Sequence, residues 1–185
     1  MTHWPRVKWT EAGQLVPLLG SDPAMSEADA KLSPEAYCLK LIGEDQLDLA
    51  AQVLGVALPR VDGIAWAASV LDTLLPEAQT SRGAPIRALV GAWIEEPDHE
   101  KRKQAWEMAE AQEETTPEQL LAMALFLSGG SISMDGLPPV LPPEGASGRI
   151  VGGAIVLMAH RSKDPAKGLQ AAIERGLQIA QQGAA

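Results

Sequence analysis

The sequence has a single cysteine, Cys38, and only three histidines among its 185 residues. One thiol cannot form an intramolecular disulfide, so a disulfide-stapled exported scaffold is excluded and a reducing compartment is expected. The histidines, His3, His99 and His160, lie far apart and no HExxH motif occurs, so their spacing predicts no metal site. We expect Cys38 to be a small buried apolar side chain rather than a nucleophile.

Basic residues are in the minority, and long hydrophobic runs are missing. The chain has 24 Asp and Glu against 15 Lys and Arg, a formal net charge of −9. Nucleic acids and anionic membranes both require clustered Lys and Arg, so neither is an expected partner, whereas a basic protein surface is. No run approaches the roughly 18 apolar residues of a membrane span, and the N-terminus lacks the apolar stretch of a signal peptide. We expect a cytoplasmic protein that does not insert into a membrane.

Catalytic patterns are also scarce. The glycine-rich pieces 128–131 and 145–148 do not follow a predicted strand or continue into a phosphate-binding signature, so we interpret them as helix ends. No Gly-x-Ser-x-Gly elbow occurs. Adjacent acidic residues such as Glu44 and Asp45 point to different sides of a helix, which favours solvated faces over an acid/base pair. The sequence therefore predicts no catalytic residue, no metal and no cofactor.

What the sequence has in abundance is helical periodicity, punctuated by caps and prolines. With 46% apolar residues, the chain can bury the core of one domain. Ser33-Pro34, Thr116-Pro117 and Asp164-Pro165 each place a capping side chain before a proline at the first helical position. At the second of these sites, Gln119 completes the pattern of a capping box.

These patterns predict a single all-α domain of about seven or eight helices, arranged as an irregular bundle or as stacked helical hairpins. The helical body is expected over residues 33–182. Residues 1–32 contain little periodicity and are expected to form a loosely structured N-terminal segment.

A proline-rich loop of about residues 131–147 separates two strongly apolar helices. Pro138, Pro139, Pro142 and Pro143 remove backbone donors and fix φ, which excludes both helix and sheet. The loop is nevertheless apolar, and we expect it to pack over the helical body through the side chains of Ile132, Met134, Leu137, Val140 and Leu141. The alternative is a polyproline ligand at Pro139 to Pro142, which we consider less favoured because no basic residue flanks the motif.

Tryptophan and glycine provide two further signals. Trp66 on a helix flank, Trp93 and Trp106 are interpreted as core members, whereas Trp4 and Trp9 lie in an extended tail and either dock on the body or anchor a partner. Three glycines open the helix after the proline-rich loop. Because glycine destabilises a helix by about 1 kcal/mol relative to alanine, we expect close backbone contacts at these positions, which are Gly148, Gly152 and Gly153.

Several segments together resemble a bacterial family of uncharacterised helical proteins. The similarity runs from about Pro34 to the C-terminus. Its most specific element is Phe126 to Ser131, followed by the proline cluster 138–143 and the apolar helix 148–159. Genes for members of this family often lie beside type VI secretion genes. The resemblance implies an accessory cytoplasmic protein of a secretion system and supplies no catalytic residues.

The function predicted from these observations is non-enzymatic binding of another protein. The role expected is an adaptor or co-chaperone accessory to type VI secretion, with a secretion component or an effector as the partner. The alternatives are an immunity protein that neutralises a toxin and an enzyme with an unrecognised site. The residues expected to bind the partner are Trp4, Trp9, Leu137, Pro138, Pro139, Val140 and Leu141.

Overall fold

The computed structural model describes residues 4–20, 23–76, 83–133 and 136–184. Over these ranges every regular element is a helix and no strand forms, so the prediction of an all-α fold is confirmed. A 3-10 turn at Ala12–Gln14 is followed by two one-turn helices and eight helices of ten residues or more. They are α1 (Val16–Leu19), α2 (Glu27–Ala30), α3 (Pro34–Gly43), α4 (Leu47–Ala57), α5 (Arg60–Leu74), α6 (Ala84–Glu95), α7 (His99–Glu110), α8 (Pro117–Phe126), α9 (Ala146–Arg161) and α10 (Pro165–Gln182).

Proline-assisted caps open the helices as the sequence predicts. The side chain of Ser33 accepts a hydrogen bond from the amide of Ala36, and the other two caps make the equivalent contact. The expected capping box at the start of α8 is wrong in one half. Gln119 does not return to the cap but donates its side-chain amide to the carbonyl of Ala109, 3.0 Å away, and so ties α8 to α7.

Helix α9 lies at the centre of the fold, in contact with α4, α5, α8 and α10. Its approach to α4 is close enough that only glycine fits. A Cβ on Gly152 would lie 2.8 Å from the Cα of Gln52, and one on Gly55 would lie 2.5 Å from the carbonyl oxygen of Gly148. The expected close backbone contact is confirmed for Gly148 and Gly152. It is wrong for Gly153, which is exposed with nothing near its missing side chain.

Trp66 lies at the centre of the core, which confirms its predicted role as a core member and corrects only its predicted place on the flank of α5. Its side chain is fully buried, and its indole N–H donates to the carbonyl of Ala172 at 2.8 Å. Gly176 provides the space, because a Cβ there would lie 2.8 Å from the indole ring. A buried indole needs a partner for its N–H, and the α10 backbone supplies it.

The described part of the N-terminal segment packs against the helical body. In its described part, six apolar side chains join the core, and they are Trp4, Val7, Ala12, Leu15, Leu18 and Leu19. An ion pair adds to this attachment, since Arg6 Nε lies 2.6 Å from Asp62, whose side chain on α5 is 5% exposed. The segment therefore belongs to the same core as the helical body.

Among the described residues, no helix combines the length and apolar composition needed to cross a membrane.

Candidate functional site

The proline-rich loop begins at the end of α8, where two arginines bind backbone carbonyl groups. Arg102 of α7 is 3% exposed and donates to the carbonyls of Phe126 and Ser131. Arg60, at the start of α5, donates to the carbonyl of Ser128 at 2.7 Å. The last carbonyls of a helix lack intrahelical partners, so cations placed there satisfy them and suit the helix dipole.

The same region contains an aromatic layer. The rings of Trp106 and Phe126 stack with centroids 4.8 Å apart, and the Arg102 guanidinium lies 5.1 Å from the Phe126 centroid. Burial lowers the pKa of Arg102 from its ordinary value. A third hydrogen bond joins Arg102 to the ring nitrogen Nδ1 of His99 at 2.9 Å. The base of the loop is thus fixed to α7 by one buried cation and one ring stack.

The loop closes on itself through serine side chains and one backbone contact. The amide of Ile132 donates to the carbonyl of Val140 at 2.8 Å. In return, the amide of Val140 lies 2.9 Å from the hydroxyl of Ser133 and 3.2 Å from that of Ser131. The Ser133 hydroxyl donates to the carbonyl of Pro138. The two arms of the loop are therefore joined by hydrogen bonds that the prolines themselves cannot donate.

The tip of the loop is apolar and exposed. Leu137 is 61% exposed, Val140 54% and Leu141 72%, and the adjacent Pro138 and Pro139 are also exposed. The expectation that these side chains pack over the helical body is wrong for all three large residues. Met134, named in the same expectation, lies outside the described residues. What holds the loop is its hydrogen-bonded base, so its apolar side chains are left for solvent or for a partner.

The far end of the loop is attached to the N-terminal segment. Glu144 accepts a hydrogen bond from Lys8 at 2.9 Å, and both side chains are mostly exposed. Lys8 also lies over the Trp9 ring, 4.1 Å from its centroid. Gly145 adopts φ +76° beside Leu18, a conformation that favours glycine, and α9 begins at the next residue.

The two candidate tryptophans occupy different positions. Trp4 is 2% exposed and docks on the body, so of the two roles foreseen for it only docking describes this structure. Trp9 is partly buried against the core and faces the same side as Lys8 and Glu144. The structure thus brings together Trp9 and the loop, while Trp4 is separated from any surface a partner could contact.

A cleft of about 430 Å³ borders the loop and is lined in part by Trp9, Arg60 and Pro143. Its basic side chains already have partners, since Arg6 pairs with Asp62 and Arg60 donates to a carbonyl. These charges are accounted for by contacts within the chain. The cleft is therefore best described as the seam between the N-terminal segment and the loop.

A second cleft, of about 690 Å³, lies at the ends of α5 and α8, where Glu118 forms part of the lining. The carboxylate of Glu118 is 5% exposed and accepts from Arg87 Nη2 at 3.0 Å. Arg87 also reaches Asp72 at 2.8 Å. This buried acid is held in an ion pair that joins α5, α6 and α8, which is a structural role.

Cys38 and the metal-binding residue types supply no alternative site in the described part of the chain. Cys38 is fully buried on α3, and burial raises the pKa of its thiol to about 12. A thiol in this environment is protonated and inert, as expected for a small core residue. Within the described ranges, no three His, Cys, Asp or Glu side chains cluster in a way that could hold a metal ion.

Comparison with known protein families gives one match. The model of a family of unknown function, DUF6931, matches residues 37–180, about three quarters of the chain. The chain belongs to this family. No curated protein and no solved structure matches it. The resemblance seen in the sequence is confirmed to this extent, and the DUF6931 region includes the whole proline-rich loop together with the arginines at its base.

The sequence did not reveal the residues that shape the loop. Arg102 lies 24 residues before Phe126, and Arg60 lies 68 residues before Ser128, so nothing local links them. The role of Ser131 and Ser133 could more nearly have been predicted from the sequence. Two hydroxyls shortly before a proline cluster are a ready source of side-chain to backbone hydrogen bonds in a segment where few backbone donors remain.

Proposed function

We propose that this protein binds another protein through the exposed tip of the proline-rich loop. The observation that carries the proposal is the combination of three large apolar side chains, Leu137, Val140 and Leu141, on a loop whose base is fixed by buried contacts. Loops that expose several adjacent apolar side chains mark interaction sites in soluble proteins. Fixing the loop in advance reduces the entropy lost on binding.

The net charge of −9 supports a partner with a neutral or basic surface, because like charges would oppose association. For the cellular role, we propose a cytoplasmic adaptor or co-chaperone accessory to type VI secretion. This part of the proposal is supported by the resemblance to proteins whose genes lie beside type VI secretion genes.

The test is affinity purification of the tagged full-length chain from its native cells, with quantitative mass spectrometry of what is retained. The decisive variant is Leu137→Ser with Leu141→Ser, because both side chains are exposed and their loss leaves the core intact. A matched control is Leu39→Ser on α3, where the leucine is 49% exposed on another surface.

We expect the partner to be enriched by the wild type and the Leu39→Ser control and to be reduced at least tenfold by the double variant. All three proteins should give the same helical circular dichroism spectrum. A partner that the double variant retains in full would contradict the proposal. A secretion-system component among the lost proteins would favour the accessory role, and a toxin would favour immunity instead.

A further inference from the structure

The backbone of residues 137–143 is restricted by covalent geometry almost throughout. Six of these seven residues are prolines or directly precede a proline. Proline fixes its own φ near −65°, and the residue before a proline is confined to the extended or polyproline II region. Val140 is the one residue in the segment that neither rule restricts.

Hydrogen bonds restrain the remaining residue. Val140 donates to the hydroxyls of Ser131 and Ser133 and accepts from the amide of Ile132. The one position where the segment could bend freely is therefore the one where its backbone is held on both sides. The segment is preorganised along its whole length before any partner arrives, although most of its residues are exposed.

The chemistry of the segment excludes most known modes of peptide recognition. Prolines 138, 139, 142 and 143 lack an amide N–H, so the segment cannot add a strand to a partner sheet. It forms no helix, which excludes docking of an amphipathic helix in a groove. It contains no charged residue, which excludes capture by an arginine cluster or by an acidic surface. The remaining mode is recognition of a polyproline II strand. The sequence alone favoured a packed loop over this mode, but the exposure of Leu137, Val140 and Leu141 removes the packed-loop interpretation.

We propose that residues 137–143 bind as a polyproline II strand in an aromatic-lined groove of the partner protein. This inference rests on the proposed function and names the surface that the partner offers. Aromatic side chains fit the flat faces of proline rings, and a preformed strand loses little entropy on binding. Ser131 and Ser133 are positioning residues, since they hold the strand without forming part of its apolar surface.

The first test uses the captured partner, expressed and purified, and measures its affinity for the full-length chain by calorimetry. The informative variant is Pro139→Ala with Pro142→Ala, which keeps every large apolar side chain. The control is Pro97→Ala, an exposed proline in the connection between α6 and α7. A synthetic peptide of residues 136–144 and the same peptide with both alanines serve as competitors.

We expect the proline variant to bind at least tenfold more weakly and the control to bind as the wild type does. The native peptide should displace the full chain, and the alanine peptide should not. Wild-type affinity of the proline variant, with binding lost in the Leu137→Ser, Leu141→Ser variant, would overturn the polyproline inference and leave the proposed function intact. Retention of the partner by the leucine variant would instead overturn the proposed function itself.

The second test removes the restraint on Val140. The Ser131→Ala, Ser133→Ala variant should bind about 5- to 30-fold more weakly, the factor expected when one residue must be ordered on binding. The amide of Val140 should exchange faster with solvent in this variant, while its melting temperature stays that of the wild type. Faster exchange with unchanged affinity would refute the positioning role. A chain that dimerises through the tip, with the dimer lost in the leucine variant, would assign the groove to a second copy and overturn the proposal of a separate partner.

Discussion

Replacing Gly152 by alanine should destabilise the protein, although alanine is the better helix former. The added Cβ would lie 2.8 Å from the Cα of Gln52, where ordinary contact begins at 3.4 Å, so α4 and α9 would have to separate by at least about 0.6 Å. The obstructing atom belongs to the backbone and cannot rotate away. Because α9 also contacts α5, α8 and α10, a shift toward one neighbour creates overlap with another.

The expected magnitude follows from two opposing effects. Overpacking against backbone costs about 3 kcal/mol, at the upper end of its usual range, and the better helix propensity of alanine returns about 1 kcal/mol. The net loss of about 2 kcal/mol corresponds to a melting temperature lower by about 4 to 8 °C for a chain of this size. Gly153→Ala is the matched control, since the neighbouring glycine is exposed with open space around it, and it should gain about 1 kcal/mol.

Both variants are measured by thermal and urea unfolding, followed by circular dichroism at 222 nm. Changes in stability of opposite sign at adjacent positions would indicate steric overlap between α4 and α9, because helix propensity alone would stabilise both alanine variants equally. Equal stabilisation by the two alanines would show that α4 and α9 are not in backbone contact, and the central feature of the fold would then be wrong.

Three further predictions concern buried or capping side chains. Arg102→Met should reduce the free energy of unfolding by about 2 to 3 kcal/mol, because it leaves two carbonyls at the loop base unpaired. Urea unfolding measures this loss, and an unchanged free energy of unfolding would refute the anchoring role of Arg102. Burial raises the pKa of the Cys38 thiol to about 12, so iodoacetamide at pH 8 should alkylate it only as fast as the protein unfolds. Rapid labelling of the native protein would contradict the buried position. Hydrogen bonds from Lys101 lower the pKa of Asp98, so its charge stabilises the fold above the ordinary aspartate pKa of about 3.9 and this contribution is lost as the pH falls through the lowered value. Asp98→Asn keeps the helix cap, so its stability deficit should be present at pH 7 and disappear in acid, as unfolding curves over a pH series would show; a deficit independent of pH would exclude the charge as its source.

Local signals predicted the helices well because caps act over only a few residues. Ser33 and Pro34 determine where α3 begins, and the helix observed starts at Pro34, directly after the predicted cap. The sequence predicted less well which face of α5 packs against α10. Its apolar residues surround much of the helix, so the sequence did not reveal that Trp66 faces α10, where Gly176 leaves room for its ring.

Burial of the proline-rich loop was mispredicted for a related reason. Apolar composition predicts that a segment prefers burial, but burial also requires a facing surface, and that surface depends on how distant helices pack. Leu137 and Leu141 are exposed, and the loop that contains them is held at its base by buried Arg102. The contacts that decide this outcome join residues far apart in sequence, which no local pattern encodes.

Anchoring the loop at its base has a consequence for variation and for engineering. The arginine contacts precede the tip, and α9, which packs closely on α4, follows it. The residues between them therefore contribute little to the stability of the domain. The tip is therefore a segment that can be replaced as a unit. Residues of the tip can be exchanged without disturbing the scaffold, and a foreign peptide inserted in place of the tip should be displayed on an otherwise intact helical protein.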